Sequence, residues 1–191
     1  MALSGSRVYV ADRSGGLQVI DVTTPPSVAI VGGVDTPIEA RSVALTATHA
    51  FVADYLGLQV VDIADPANPS IIGSASTPDL TTDVVIAGTY AYVADSSSGL
   101  QVLDISNPAS PSIVGDEDTP GSAKAVALSG SYACVADGSS GLQVIDVSDP
   151  ADPGTSGGVS IPGDALDVAA TATHAYVAAG SYGLRVVDIT D

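Results

Sequence analysis

The stretch that decides the fold is YACVADGSSGLQVIDVSD, Tyr132 to Asp149. It reads as an apolar strand, a Gly/Ser turn, a second apolar strand and an Asp-rich exit. Val, Ile and Tyr favour pleated chain, and alternation with small residues gives the period of two expected of strands. The Gly and Ser cluster breaks that pattern as a turn does. The same unit occurs as RVYVADRSGGLQVIDV from Arg7, HAFVADYLGLQVVDI from His49, YAYVADSSSGLQVLDI from Tyr90 and HAYVAAGSYGLRVVDI from His174. The five copies start 42, 41, 42 and 42 residues apart. A fixed period of about 40–45 residues points to a solenoid or a propeller.

Each period holds four strand-length runs, here called A to D from the inside of the molecule outward. In the second copy they are Arg41–Thr46, His49–Asp54, Leu58–Ile63 and Ser70–Ser74. Four short strands with tight turns between them require antiparallel neighbours, which suits a propeller blade. The fold predicted is therefore an all-β, five-bladed β-propeller. Its blades are of about 42 residues, in one domain over 1–191, with repeats starting near Met1, Ala44, Ile86, Ala127 and Ala169. The last copy stops after strand C, so the fifth blade is expected to be three-stranded, with Gly183 to Ile189 as an open edge. Arg185 replaces the Gln of the other copies there and reads as a blunting charge. The simplest closed form is a five-bladed ring; the alternative is a piece of a longer repeat array.

The run Gly141–Pro150, GLQVIDVSDP, with VAD before it and the tail Asp118–Pro120 of the preceding copy, resembles the LVIVD repeat family. The resemblance extends along the whole chain. It implies a β-propeller, often in secreted or surface-associated proteins, and it implies no shared reaction. Secretion or cell-surface display is thus an expectation from the resemblance, and no signal peptide precedes the first repeat in this sequence.

Composition narrows the function. The net charge is −17 with five Lys and Arg in all, which argues against nucleic acid and anionic membranes. Apolar residues make up 46 % but no run approaches a membrane span, because charges and turns interrupt every strand. Cys134 is the only cysteine and stands where other copies carry Tyr9, Phe51, Tyr92 and Tyr176, so it reads as a buried small hydrophobe. His49 and His174 lack metal-ligand neighbours, and no metal site or cofactor is expected. No GxSxG elbow or EF-hand pattern appears.

Several residues depart from simple turn chemistry. Asp21 recurs as Asp62, Asp104, Asp146 and Asp188, and is expected to pin the C–D turn by accepting backbone N–H groups. A positive φ, or a close approach of neighbouring backbone, is expected at most of Gly16 and its equivalents Gly57, Gly99, Gly141 and Gly183. The Thr-Pro and Ile-Pro elements after strand D are expected to end that strand, since Pro cannot donate to a ladder. The fourth D strand, rich in Gly, is expected to be short or loose. The B–C and D–A loops share one face and carry Asp12, Asp54, Asp95, Asp137 and further acids. The binding candidates there and in the channel are Arg13, Tyr55, Leu56, Asp83, Lys124, Asp167 and Tyr182. Two classes of function follow. One is a non-catalytic scaffold for protein interaction or surface recognition. The other is a glycan-acting hydrolase using carboxylates. An isolated or engineered fragment without activity of its own is a third possibility. Partners expected are protein or glycan, with self-association through the last blade.

Overall fold

A computed structural model describes residues 1–190. The chain forms five antiparallel sheets, one per repeat. Blade 1 is β1 (Ala2–Ser4), β2 (Arg7–Ala11), β3 (Leu17–Asp21) and β4 (Ala29–Val34), hydrogen-bonded in that order. Blade 2 is β5 (Ala40–Leu45), β6 (His49–Asp62) and β7 (Ser70–Thr81). Blade 3 is β8 (Asp83–Ala87), β9 (Tyr90–Ala94), β10 (Leu100–Asp104) and β11 (Ser112–Glu117). Blade 4 is β12 (Ala125–Ser129), β13 (Tyr132–Ala136), β14 (Leu142–Asp146) and β15 (Gly154–Val159). Blade 5 is β16 (Asp167–Ala170), β17 (His174–Ala178) and β18 (Leu184–Asp188), and it is three-stranded as expected.

In blade 2 the B–C turn is one residue shorter than its counterparts, and the two strands merge into β6 with a register shift at Tyr55/Gly57. The outer strand of the same blade corrects the proline expectation. β7 runs through Thr77-Pro78 to Thr81, because Tyr55 pairs with Thr81 beyond the proline. The fourth outer strand is also not short: β15 matches β4 and β11 in length. Its ladder with β14 supplies the hydrogen bonds that side-chain propensity does not.

The repeat residues set the packing. Tyr9, Leu17 and Val19 on one face of blade 1 bury against Ala50, Val52, Val61 and Ile63 of blade 2. Phe51, Leu58 and Val60 then bury against Ala91, Val93, Leu103 and Ile105. Tyr92, Leu100 and Val102 meet Ala133, Val135, Ile145 and Val147. Cys134 and Leu142 meet Ala175 and Val177. Each blade thus has a leading face with a large residue on strand B and a trailing face of Val, Ala and Ile, and the two alternate by the strand period. Cys134 fills the aromatic position, and burial pushes its thiol pKa up. That disfavours the thiolate and any nucleophilic role.

Four junctions join the five blades, and the arc does not close. Among the described residues no buried cluster joins blade 5 to blade 1. On the leading face of blade 5, Tyr176, Leu184 and Val186 are 37 %, 63 % and 57 % exposed, whereas Tyr9, Leu17 and Val19 are 3 %, 0 % and 0 %. The trailing face of blade 1, with Val8, Val10 and Ile20, is likewise only partly covered. A closed five-membered ring is therefore replaced by an open one. The number of blades that closes a ring follows from the rotation between neighbours, which the packing at each junction determines.

Small local contacts shape the turns within each blade. Asp21, Asp62, Asp104, Asp146 and Asp188 each accept the backbone N–H two residues on, at 2.8–3.0 Å, from Thr23, Ala64, Ser106, Ser148 and Thr190. The C–D turn is pinned as its sequence predicts. Gly16 and its four equivalents all have positive φ. At Gly16 a side chain would also collide with the backbone of Val34 to Thr36.

Candidate functional site at the channel mouth

The B–C turn of one blade grips the start of strand A in the next. Arg13 N donates to Ala40 O (2.9 Å) and Ala40 N to Arg13 O (3.0 Å). Ala123 N donates to Ser96 O (2.9 Å), and Ala165 N to Gly138 O (2.9 Å). These paired turns bring the first residues of the inner strands to one end of the central channel. Arg13, Arg41, Thr82, Lys124 and Leu166, one from each blade, line a cavity of about 320 Å³ there. Three of the five Lys and Arg of a chain with net charge −17 meet at this mouth.

Each cation is held differently. The Arg41 guanidinium lies 4.6 Å from the Tyr55 ring centroid and pairs with Glu39 at 3.3 Å. Lys124 Nζ donates to Ser122 Oγ at 2.8 Å. Arg13 is presented from a residue at φ 47°, the left-handed region that Tyr55 and Ser96 share in their own turns. Non-Gly residues adopt that conformation at a cost, so the turn geometry overrides it at three blades.

Deeper in the channel stands Asp83. Ser42 Oγ donates to its Oδ1 at 2.6 Å, and the Val126 N–H donates to its Oδ2 at 3.0 Å. One carboxylate therefore ties the inner strands of blades 2, 3 and 4 together. Burial raises its pKa, the hydrogen bonds from Ser42 and Val126 pull it back in part, and the Asp167 charge adds to the rise. A carboxyl whose folded pKa is raised contributes stability below its unfolded pKa and loses it as pH climbs through the folded value. Asp83→Asn is therefore expected to remove a stability gain that the native protein shows on acidification from pH 7 toward about 4.5. Urea unfolding of both proteins at the two pH values measures it. Parallel pH dependences would reject the assignment.

The candidates named from sequence separate as follows. Arg13 and Lys124 share the mouth, with Tyr55 beneath Arg41. Asp83 lies below them, and Asp167 Oδ1 accepts from the Val168 N–H at 2.9 Å. Leu56 and Tyr182 are exposed on their turns. Arg41, Thr82 and Ser42, which are not among the binding candidates, join them here; Arg41, Thr82, Lys124 and Leu166 align in the repeat at one position of strand A.

Three loop acids are not displayed at all. Asp54, Asp95 and Asp137 are buried, and each accepts from the Thr-Pro element of the preceding blade. Thr36 Oγ1 donates to Asp54 (3.0 Å), Thr77 Oγ1 to Asp95 (2.7 Å) and Thr119 Oγ1 to Asp137 (2.7 Å). The N–H groups of Ile38, Asp79 and Gly121 donate to the second oxygens. At the fourth crossover Ile161 and Ala179 replace both partners together.

Among the described residues no group of three or more His, Cys, Asp or Glu is placed to hold a metal ion. The His49 and His174 rings bond to Thr48 and Thr173, at the starts of β6 and β17. No helix of the described residues is long and apolar enough to cross a membrane.

The five sheets coincide with five matches to the LVIVD repeat, over residues 1–36, 39–77, 80–119, 120–160 and 162–191. The chain belongs to the LVIVD repeat family. No curated protein matches it in sequence. Among solved structures, this LVIVD chain superposes on one in a mitotic checkpoint complex with a TM-score of 0.83 at 11 % identity, covering 99 % of itself and 62 % of that chain. A functionally unknown protein from Desulfotomaculum acetoxidans gives 0.81 at 15 % identity, with 96 % and 62 % covered. The computationally designed Ika8 protein gives 0.78 at 11 %, with 98 % and 57 % covered. At these identities the likeness is one of fold. The LVIVD chain spans about three-fifths of the length of these structures.

Proposed function

We propose that this LVIVD-repeat chain is a non-catalytic protein-interaction scaffold that associates head to tail through its end blades. The observation that carries the reading is the exposure of Tyr176, Leu184 and Val186, whose equivalents at the other junctions are buried except for the half-buried Val144. A contiguous apolar face on a soluble protein marks an interaction surface. Its natural complement is a trailing face of Val, Ala and Ile, and blade 1 carries one in Val8, Val10, Ile20 and Val22. The partner is thus a second copy, with blade 5 of one chain seated on blade 1 of the next. Such a heterologous contact forms a ring if its rotation closes and a filament if it does not. An Asp83 whose two oxygens are both bonded accords with a scaffold more than with carboxylate hydrolysis.

Sedimentation velocity over a concentration series tests this. The native protein is expected to self-associate, and Leu184→Asp to remain monomeric. Burying a Leu side chain contributes about 1.5–3 kcal/mol, and a buried unpaired carboxylate costs at least as much. Leu184 is exposed in the single chain, so the substitution leaves the fold intact. A native protein that stays monomeric, or a variant that associates equally well, sinks the reading.

A further inference from the structure

We infer that the channel mouth is a binding site for the phosphate group of a small molecule. This rests on its own observation, independent of the end-face association. Arg13, Arg41 and Lys124 line the cavity of about 320 Å³ at the mouth. The chain has 22 Asp and Glu against five Lys and Arg. With acids so abundant, attraction alone would scatter the cations among carboxylates. Instead three of them converge, and among the described residues Arg41–Glu39 is the sole ion pair, at 3.3 Å. Three like charges around one cavity repel, and an anion seated between them offsets that repulsion. Arg13 adds a second sign. It holds φ 47°, where the equivalent turn residues Gly138 and Gly180 have φ 53° and 52°. Glycine serves this turn without strain, and the arginine accepts the strain to present a cation.

The donors select the ligand. Two guanidinium groups offer forked N–H pairs that match phosphate oxygens, and an ammonium adds a point charge. Arg41 commits one nitrogen to Glu39, and Lys124 Nζ donates to Ser122 Oγ at 2.8 Å, so each keeps further N–H groups for a ligand. Three cations less the Glu39 carboxylate leave a charge of +2. A phosphate group carries about −2 near neutral pH, which balances it. The cations come from the B–C turn of blade 1 and from the starts of the inner strands of blades 2 and 4, so they address a ligand from several sides. A tetrahedral phosphate presents oxygens in those directions, whereas a carboxylate presents its two in one plane. The Thr82 hydroxyl is committed elsewhere: it donates to Ala94 O and Ala123 O, at 3.0 and 3.1 Å, and fixes blade 3 to blade 4 at the rim. Ala11, Ala40 and the exposed Leu166 complete the lining and suit the carbon part of a phosphate monoester. Deeper in the channel both Asp83 oxygens already accept bonds and offer an anion nothing, so the ligand stays at the mouth. The cavity lies at the low end of the range of about 300–1,000 Å³ for small-molecule sites, which limits the ligand to a small one.

Isothermal titration calorimetry of the whole protein tests this. The titrants are inorganic phosphate, glycerol 3-phosphate and succinate, each in chloride buffer of constant ionic strength near neutral pH. Saturable binding of phosphate is expected with the native protein, and binding at least about ten-fold weaker with Arg13→Gly and with Lys124→Met, because each removes charge-assisted hydrogen bonds. Arg13→Gly installs the residue of the equivalent turns at Gly138 and Gly180 and keeps the fold, which its unfolding midpoint verifies. Arg185→Gln removes the same charge away from the mouth, restores the Gln of the other copies and is expected to bind as the native protein does. Glycerol 3-phosphate binding tighter than inorganic phosphate supports the site and identifies a monoester; the free ion binding as tightly or tighter supports it and identifies inorganic phosphate. No saturable binding of either, native affinity in either mouth variant, or equal weakening in Arg185→Gln overturns the inference. Succinate binding as tightly as phosphate gives the mouth to carboxylates and overturns it too.

Discussion

Gly73→Ala is expected to cost about 3 kcal/mol of stability or more, a large loss for one methyl group. The added carbon would overlap the carbonyl oxygen of Pro108 and stand 2.9 Å and 3.0 Å from the carbonyl carbon and Cα of Ala109. All three are backbone atoms, so no side chain can swing away. Neither partner is free to retreat. β7 is hydrogen-bonded to β6 along its length, with Gly73 opposite Val60. The Pro108–Ala109 turn is held by Ser106 N donating to Asp104 and by Ser110 N donating to Asn107 O at 2.9 Å. Relief therefore requires separating blades 2 and 3 at their rim, which loosens the packing of Leu58 and Val60 against Leu103 and Ile105. Chemical denaturation gives the loss directly. The comparison is Gly157→Ala, the same change in the same strand position, where the space is open and the expected cost is near zero. Similar stabilities for the two variants would show that the turn carbonyl is not the obstacle.

Asp137→Ala is expected to lose about 2 kcal/mol, and Thr119→Ile added to it to recover most of that. Alone, the alanine leaves the Thr119 hydroxyl and the Gly121 N–H without the carboxylate they donate to at 2.7 and 2.8 Å. Deleting one partner of a buried polar contact leaves the other desolvated and unpaired. Replacing both with apolar groups can be close to neutral. The molecule has made that exchange once, at Ile161 and Ala179, where the isoleucine packs against the junction of blades 4 and 5. The double variant should therefore lie within about 1 kcal/mol of the native protein. There is a pH signature as well. Burial pushes the Asp137 pKa up, against hydrogen bonds from Thr119 and Gly121 and the Lys124 charge, which lower it. Its contribution is then fullest below the unfolded carboxyl pKa and declines as pH rises through the folded one. The cost of Asp137→Ala should accordingly be greater near pH 4.5 than at pH 7, and a double variant as unstable as the single one would contradict the exchange.

Much of this architecture was legible because its determinants are local. Strand B of blade 1 falls on Arg7–Ala11 as the alternation of Val8, Tyr9 and Val10 predicts. The pinning role of Asp21 and its four equivalents needs only a carboxylate and an amide two residues apart. The buried acids were different. Asp54, Asp95 and Asp137 each look like a turn acid, and their hydroxyl partners lie 18 residues upstream in another blade. The shared loss of Thr and Asp at Ile161 and Ala179 was a signal for that pairing. β15 was misread for a related reason: Gly154–Val159 has little strand propensity, and its neighbour β14 imposes the extended form.

By itself the sequence determined the repeat, the four-strand unit, the order of strands within it and the three strands of blade 5. These depend on side-chain alternation and turn chemistry within some 40 residues, which the chain carries openly. Only the tertiary structure decided that the arc stays open and that Arg13, Arg41 and Lys124 meet at one mouth. Those outcomes depend on the rotation from blade to blade. That rotation is the sum of close-packed contacts at four junctions, and no short stretch of sequence encodes it.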